Sequence, residues 1–132
     1  MGALTETERK ELYERALEAR ENAYAPFSGF KVGAALMTED GNVYTGVNVE
    51  NSSYGATICA ERTAFVKAIS EGQRNFKAIA ITAGDEQESL PCGICRQFMY
   101  EFAPEMEIIT GTDKEELNVR LLSQLLPDGF RL

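Results

Sequence analysis

A chain of 132 residues, 44% apolar and 26% charged, has the size for one globular domain with a sizeable core spanning 1–132, and is too short for two. Its formal net charge of −8, with 13 basic against 21 acidic residues and no basic block, argues against a DNA or RNA polymer as ligand but not against a neutral nucleoside. The absence of histidine removes Ser-His-Asp and Cys-His hydrolases and every His-ligated metal site, and no apolar run approaches the ~20 residues of a membrane span.

The N-terminus carries Glu6, Glu8 and Glu11 without an apolar core of a signal peptide, so a cytoplasmic location is the default expectation, with the cysteines reduced. Residues 5–24 predict an amphipathic helix opened by a Thr5–Glu8 capping box. Leu12, Ala16, Ala19 and Ala23 recur at helical spacing, with Tyr13, Leu17 and Tyr24 widening the stripe expected to be buried. Pro26 ends that helix, because the residue before a proline avoids helical geometry. Residues 30–37, apolar at nearly every position except Lys31, predict a strand covered on both faces. Glu39-Asp40-Gly41-Asn42 is a hairpin turn signal, and 43–49 is the returning strand. Asn48 and Glu50 lie two apart, so in extended chain they share a face. A polar loop follows at 51–55.

Residues 58–70 predict a second helix stopped by Gly72, with Phe65, Ala68 and Ile69 on its inner stripe. Glu61 falls on that same stripe, four residues before Phe65, where an ionisable group is costly unless it has a partner or a task. A strand at 76–83, an acidic surface loop at 84–88 and a third helix at 92–102 come next, the helix with Pro91 at its start and Phe98, Tyr100 and Phe102 as apolar bulk. Further strands are expected at 106–110 and 117–121 and a helical turn at 123–126, before Pro127-Asp128-Gly129 turns the chain into a short tail. This order predicts an α/β fold, a mixed sheet with helices packed on it.

The chain has three cysteines, Cys59, Cys92 and Cys95. Cys92 and Cys95 form a CxxC on the first turn of a predicted helix, so their sulfurs fall on one side. Cys59 opens a different helix. Free N–H groups and the dipole at a helix N-terminus favour thiolate over thiol, and two such termini aimed at one point make a positive hollow for a thiolate-bound metal. Three sulfurs at this spacing predict one tetrahedral Zn²⁺ with its fourth position open to water. Three thiolates and Zn²⁺ sum to one negative charge, and Arg62 or Arg96, hydrogen-bonding a sulfur, would draw part of it off. Glu61, two residues from Cys59, is placed to move protons between that water and a leaving group.

Blander readings compete with this one. A lone CxxC also serves as a redox pair, usually in a thioredoxin-like context that is missing here. A structural zinc takes four protein ligands, and the fourth would have to come from Asp, Glu or another subunit. Glu61 alone would read as a solvated helix residue; its place on the inner stripe beside a cysteine reverses that. Asn48 and Glu50 alone read as ordinary turn polars.

Four signatures together make the chain resemble a known family, the small, tetrameric cytidine deaminases: Phe30-Lys31-Val32-Gly33-Ala34-Ala35, Asn48-Val49-Glu50-Asn51, Cys59-Ala60-Glu61-Arg62-Thr63-Ala64 and Pro91-Cys92-Gly93-Ile94-Cys95-Arg96-Gln97. The likeness runs from the Tyr24–Ser28 turn to Phe130. It implies a three-layer α/β/α fold around a five-stranded mixed sheet, and hydrolytic deamination of cytidine or deoxycytidine. Zinc would sit on Cys59, Cys92 and Cys95, with its hydroxide attacking C4 of the base and Glu61 shuttling protons. The Ala60 N–H would hold the base carbonyl, Asn48 and Glu50 the ribose hydroxyls, and Phe30 would line the pocket. Tyr54 and Phe130 match positions that make contacts between subunits, which implies a homotetramer with its sites at the interfaces. Within the superfamily, polynucleotide-editing and larger dimeric enzymes use histidine as the first ligand; here Cys59 stands there. A deaminase of a modified nucleoside such as a blasticidin-type antibiotic shares these zinc signatures, and a non-catalytic zinc-stabilised binding module is the reading from outside enzymology.

Overall fold

The computed structural model describes residues 3–84 and 87–132. Helix α1 (Glu6–Arg20) is followed by the hairpin β1 (Gly33–Thr38) and β2 (Val43–Val47), a 3-10 turn (Tyr54–Ala56) and helix α2 (Ala60–Ser70). Strand β3 (Phe76–Thr82), helix α3 (Gly93–Tyr100), the pair β4 (Glu107–Asp113) and β5 (Glu116–Leu121), and the short α4 (Leu122–Leu125) complete the chain. The five strands form one sheet in the order β2-β1-β3-β4-β5. Only β3 and β4 run parallel, joined across α3, and the other neighbours are antiparallel. The expected mixed five-stranded sheet is therefore present.

Alternation along the strands sorts side chains into two cores. Ala34, Leu36, Ile79, Ile81 and Ile108 face α2, α3 and Leu122 of α4. Ala35, Ala78, Ala80 and Ile109 face Leu12, Tyr13 and Ala16 of α1. This is the period of two that a pleated sheet imposes, and it makes three layers, α/β/α. The α1 side is lined by alanine, which lets the helix lie close: a Cβ on Gly33 would meet the Ala16 carbonyl oxygen. On the opposite face a Cβ on Gly46 would meet backbone atoms of Ala60 and Ala64, so the first turn of α2 rests directly on β2.

Element boundaries differ from expectation in ways that have local causes. The Thr5–Glu8 capping box forms as predicted. Helix α1, however, ends at Arg20, and Tyr24 pairs in extended geometry with Val49. Tyr24, beyond the helix, is exposed, and so is Leu17 within it, so the stripe narrows to Leu12, Tyr13 and Ala16. The Tyr13 hydroxyl lies 2.9 Å from Thr82 Oγ1 and donates to the Gly111 carbonyl at 3.1 Å, which accounts for a tyrosine with no exposed surface. Strand β1 begins at Gly33 instead of residue 30, because the Asn48 side chain takes up the backbone ahead of it: the Val32 N–H donates to Asn48 Oδ1, and the Phe30 carbonyl accepts from Asn48 Nδ2.

Glu61 and Phe65 lie on the inner stripe of α2 as expected, and the helix ends where Gly72 adopts φ 96°. Helix α3 centres on Met99, fully buried, with Phe98 and Phe102 ringed around Phe65. Of the loop predicted at 84–88, Asp85 and Glu86 lie outside the described residues; Glu88 accepts from Thr110, Asn118 and Arg120 and ties the segment to β4 and β5. Among the described residues no helix is long and apolar enough to cross a membrane.

Candidate functional site

Cys59 and Cys92 are the N-cap residues of α2 and α3, both in extended geometry, and neither sulfur is spent on capping its helix. Cys95 lies on the first turn of α3. The topology brings the two helix starts together, and the three Sγ atoms all lie within 4.8 Å of one another. Cys95 is buried, Cys59 half-buried and Cys92 exposed, so the group has a closed side and an open one.

The electrostatics follow from that packing. The hydrogen bond with Cys95, and then the one from Arg62, pull the Cys59 thiol down to about 5 against the opposing effect of burial. Arg62 Nη2 donates to Cys59 Sγ at 3.4 Å. The same bond to Cys59, together with burial and the neighbouring Glu61, pushes the Cys95 thiol up. Three converging soft donors, one of them poised as thiolate, fit Zn²⁺, whose tetrahedral ligands at Zn–S of roughly 2.3 Å stand ~3.8 Å apart. Arg96, the other arginine considered for this role, goes elsewhere: its Nε donates to the Pro91 carbonyl at 2.7 Å and its Nη1 to the Leu125 carbonyl at 2.8 Å. Arg96 thus braces the turn into Cys92, and the sulfur contact falls to Arg62 alone of the two.

Glu61 is only 5% exposed, and desolvation in that position pushes its carboxyl up to about 7, with the Cys59 charge adding to the effect. Its own N–H and Arg62 pull the other way and lose. A carboxyl near neutrality beside the Cys59 thiolate exchanges protons readily in both directions. Ala60, the first residue of α2, is fully buried, and its N–H is one of those that a helix leaves without an intrahelical partner.

A second group of residues sits around the loop that leads into β1. Asn48 Oδ1 accepts from Val32 N at 2.9 Å, and its Nδ2 donates to the Phe30 carbonyl at 2.8 Å. Glu50 accepts at Oε1 from the N–H groups of Phe27 (2.9 Å) and Ser28 (3.1 Å), and at Oε2 from the Ser28 hydroxyl. Val49, between them, exchanges backbone bonds with Ile58 at 2.9 and 3.0 Å. That bridge lays the Asn48–Glu50 segment beside Ile58, the residue that precedes Cys59. The expected placement of Asn48 and Glu50 on one face rests on their spacing alone; in the structure each has its own partners in the segment 27–32. Ser28 as the partner of Glu50 was not readable from the sequence; a serine in a proline-containing turn carries no distinctive signal of its own.

Tyr54 and Phe130 are at the surface, 78% and 63% exposed. Tyr54 packs edge-on against Phe27, ring centroids 6.1 Å apart, and the Phe130 carbonyl accepts from Gln97 Nε2 of α3 at 2.8 Å.

The model of the cytidine and deoxycytidylate deaminase zinc-binding region matches residues 6–112. The chain is 47% identical over 124 residues to a cytidine deaminase of Halalkalibacterium halodurans, covering 93% of this chain and 94% of that protein. It is similar to the crystal structure of a cytidine deaminase from Burkholderia pseudomallei, with a TM-score of 0.86, 48% identity and coverage of 91% and 97% of the two chains. The crystal structure of the cytidine deaminase from Mycobacterium tuberculosis matches with a TM-score of 0.82 at 41% identity, covering 92% of this chain and 96% of that one.

Proposed function

The chain belongs to the cytidine and deoxycytidylate deaminase family, and from that membership we propose that it hydrolyses cytidine and deoxycytidine to uridine and deoxyuridine with release of ammonia, as a pyrimidine-salvage enzyme of the cytoplasm. The observation that carries this reading is a buried carboxyl near neutrality, Glu61, set beside three converging sulfurs.

Cys59, Cys92 and Cys95 would hold Zn²⁺, which lowers the pKa of a water molecule and so supplies a nucleophile at neutral pH. Arg62, donating to Cys59 Sγ, draws negative charge from the sulfurs and keeps the site acidic enough for that task. Glu61 would take one proton from the attacking water and pass it to N3 of the base, then take the remaining proton from the hydroxyl so formed on C4 and give it to the amine, which leaves as ammonia. The Ala60 N–H orients the base through its carbonyl oxygen. Asn48 and Glu50 take the ribose hydroxyls with the hydrogen-bonding capacity that the loop leaves them, and Phe30, 45% exposed, offers its ring as a wall of the pocket. Tyr54 and Phe130 complete a neighbouring chain's site in a homotetramer.

The test is an absorbance assay. Zinc-loaded protein should lower the absorbance of cytidine and of deoxycytidine, and prior treatment with a strong chelator should abolish the change. A loaded protein that leaves both nucleosides intact overturns the reading. Turnover of only a modified cytosine nucleoside in a substrate panel would point to the antibiotic-type alternative, and zinc retained without turnover of any nucleoside to a binding module.

A further inference from the structure

We propose that Ser28 is a positioning residue for Glu50 and thereby sets how strongly the site recognises the 3′-hydroxyl of the sugar. The inference rests on the proposed role of Glu50 toward the ribose and adds to it the group that aims the carboxylate.

Ser28 Oγ donates its proton to Glu50 Oε2 and accepts from the Phe30 N–H at 3.0 Å. Glu50 Oε1 is held separately by the N–H groups of Phe27 and Ser28. One carboxylate oxygen is therefore fixed by backbone, and the orientation of the other depends on a single side chain. The Phe30 carbonyl is taken by Asn48, so both backbone polar groups of Phe30 are tied to the sugar-facing residues, one through Ser28. The Ser28 hydroxyl thus links Glu50 to the aromatic wall of the pocket.

Three donors directed at one carboxylate hold it ionised, and its carboxyl lies below the usual range, first because of Ser28 and then because of the Phe27 and Ser28 N–H groups. An ionised, oriented acceptor makes the stronger charge-assisted bond to a sugar hydroxyl. Without the Ser28 hydroxyl the backbone clamp on Oε1 remains, while Oε2 is free to rotate and is solvated by water. Recognition of the hydroxyl that faces it weakens, and the three cysteines and Glu61, to which Ser28 makes no hydrogen bond, keep their arrangement. Ser28 is exposed, so removing its hydroxyl leaves no cavity and spares the fold.

The experiment compares kcat/KM for cytidine and 3′-deoxycytidine in the parent, Ser28→Ala and Ser28→Thr. The parent should prefer cytidine. Ser28→Ala should lower kcat/KM for cytidine about tenfold, the scale of one charge-assisted hydrogen bond, with no change for 3′-deoxycytidine. Ser28→Thr, which keeps the hydroxyl, should restore the parental ratio. Equal losses on both substrates, or none on either, would show that Ser28 only shapes the loop and would overturn the inference. A parent that does not distinguish the two nucleosides overturns instead the assignment of Glu50 to the 3′-hydroxyl, and the inference falls with it.

Discussion

Glu61 combines two demands that conflict in most places in a protein: it is almost fully buried, and in the proposed mechanism it has to change charge. Burial raises its carboxyl from the ordinary 4.5 to about 7, which is the range in which a group gives and takes protons at physiological pH. Glu61→Gln should keep the metal and lower turnover by ~10²–10⁴, measured as zinc content and as the cytidine absorbance rate. Full activity in that variant removes Glu61 from the mechanism. The same shift has a stability consequence in the metal-free protein. Between pH 4.5 and 7 the folded state binds more protons at Glu61 than the unfolded chain does, so stability falls as pH rises through that window. Glu61→Gln, which has no charge to bury, should gain on the parent as pH rises, by about 3 kcal/mol at pH 8 and by little at pH 4. Equal urea midpoints for the two proteins at both pH values would contradict that. Of this residue the sequence shows the burial, through its place four before Phe65, and the neighbouring thiol. What it does not show is which arginine serves the sulfurs. Arg62 and Arg96 look alike on paper, and only the packing of α4 gives Arg96 a carbonyl partner 29 residues away in the chain.

At the scale of elements, the site is built where two helices begin. Helix α2 is fixed by β2 through Gly46 and by the aromatic cluster at its middle, in which Phe65 meets Phe76 at 4.8 Å, Phe102 at 5.9 Å and Phe98 at 6.2 Å between ring centroids. Phe98 and Phe102 belong to α3 and the turn beyond it, so Phe65 ties together the two elements that carry the sulfurs. Phe65→Ala should destabilise the protein by ~3–5 kcal/mol, seen as a lower urea midpoint at unchanged slope. Because the loss falls between α2 and α3, it should also speed zinc release to a chelator, and a variant as stable as the parent would show that the cluster is not what holds the helix starts together. Local signals made most elements legible: the capping box at Thr5, the turn at Gly41, the stop at Gly72. The signals failed where a distant partner decides. Tyr24 continues the helical pattern of α1 but is claimed by Val49, and Phe30 continues the apolar run of β1 but is held off the sheet by Asn48. Met99 was hidden by louder aromatic neighbours.

For the whole molecule, the unfinished feature is its surface. Phe27, Phe30, Tyr54, Ile94 and Phe130 are each at least 45% exposed, and they lie on the loop before β1, on the 3-10 turn, between the CxxC cysteines and in the tail that Gln97 holds to α3. Apolar exposure of this kind is what the proposed assembly into a tetramer would cover. In solution the protein should have about four times the 14.6 kDa of one chain, read by sedimentation equilibrium. The sharing of sites has a stronger test than mass. Phe130→Ala should weaken nucleoside binding, and Glu61→Ala should stop proton transfer. If Phe130 acts on a neighbour's site, unfolding and refolding the two variants together creates some sites that draw an intact Glu61 from one chain and an intact Phe130 from the next. Random assembly gives roughly a quarter of sites of that kind, so the mixture should exceed the summed rates of the separate variants at low cytidine. If Phe130 serves the site of its own chain, each Phe130→Ala chain stays weak in any assembly, and mixing gains nothing.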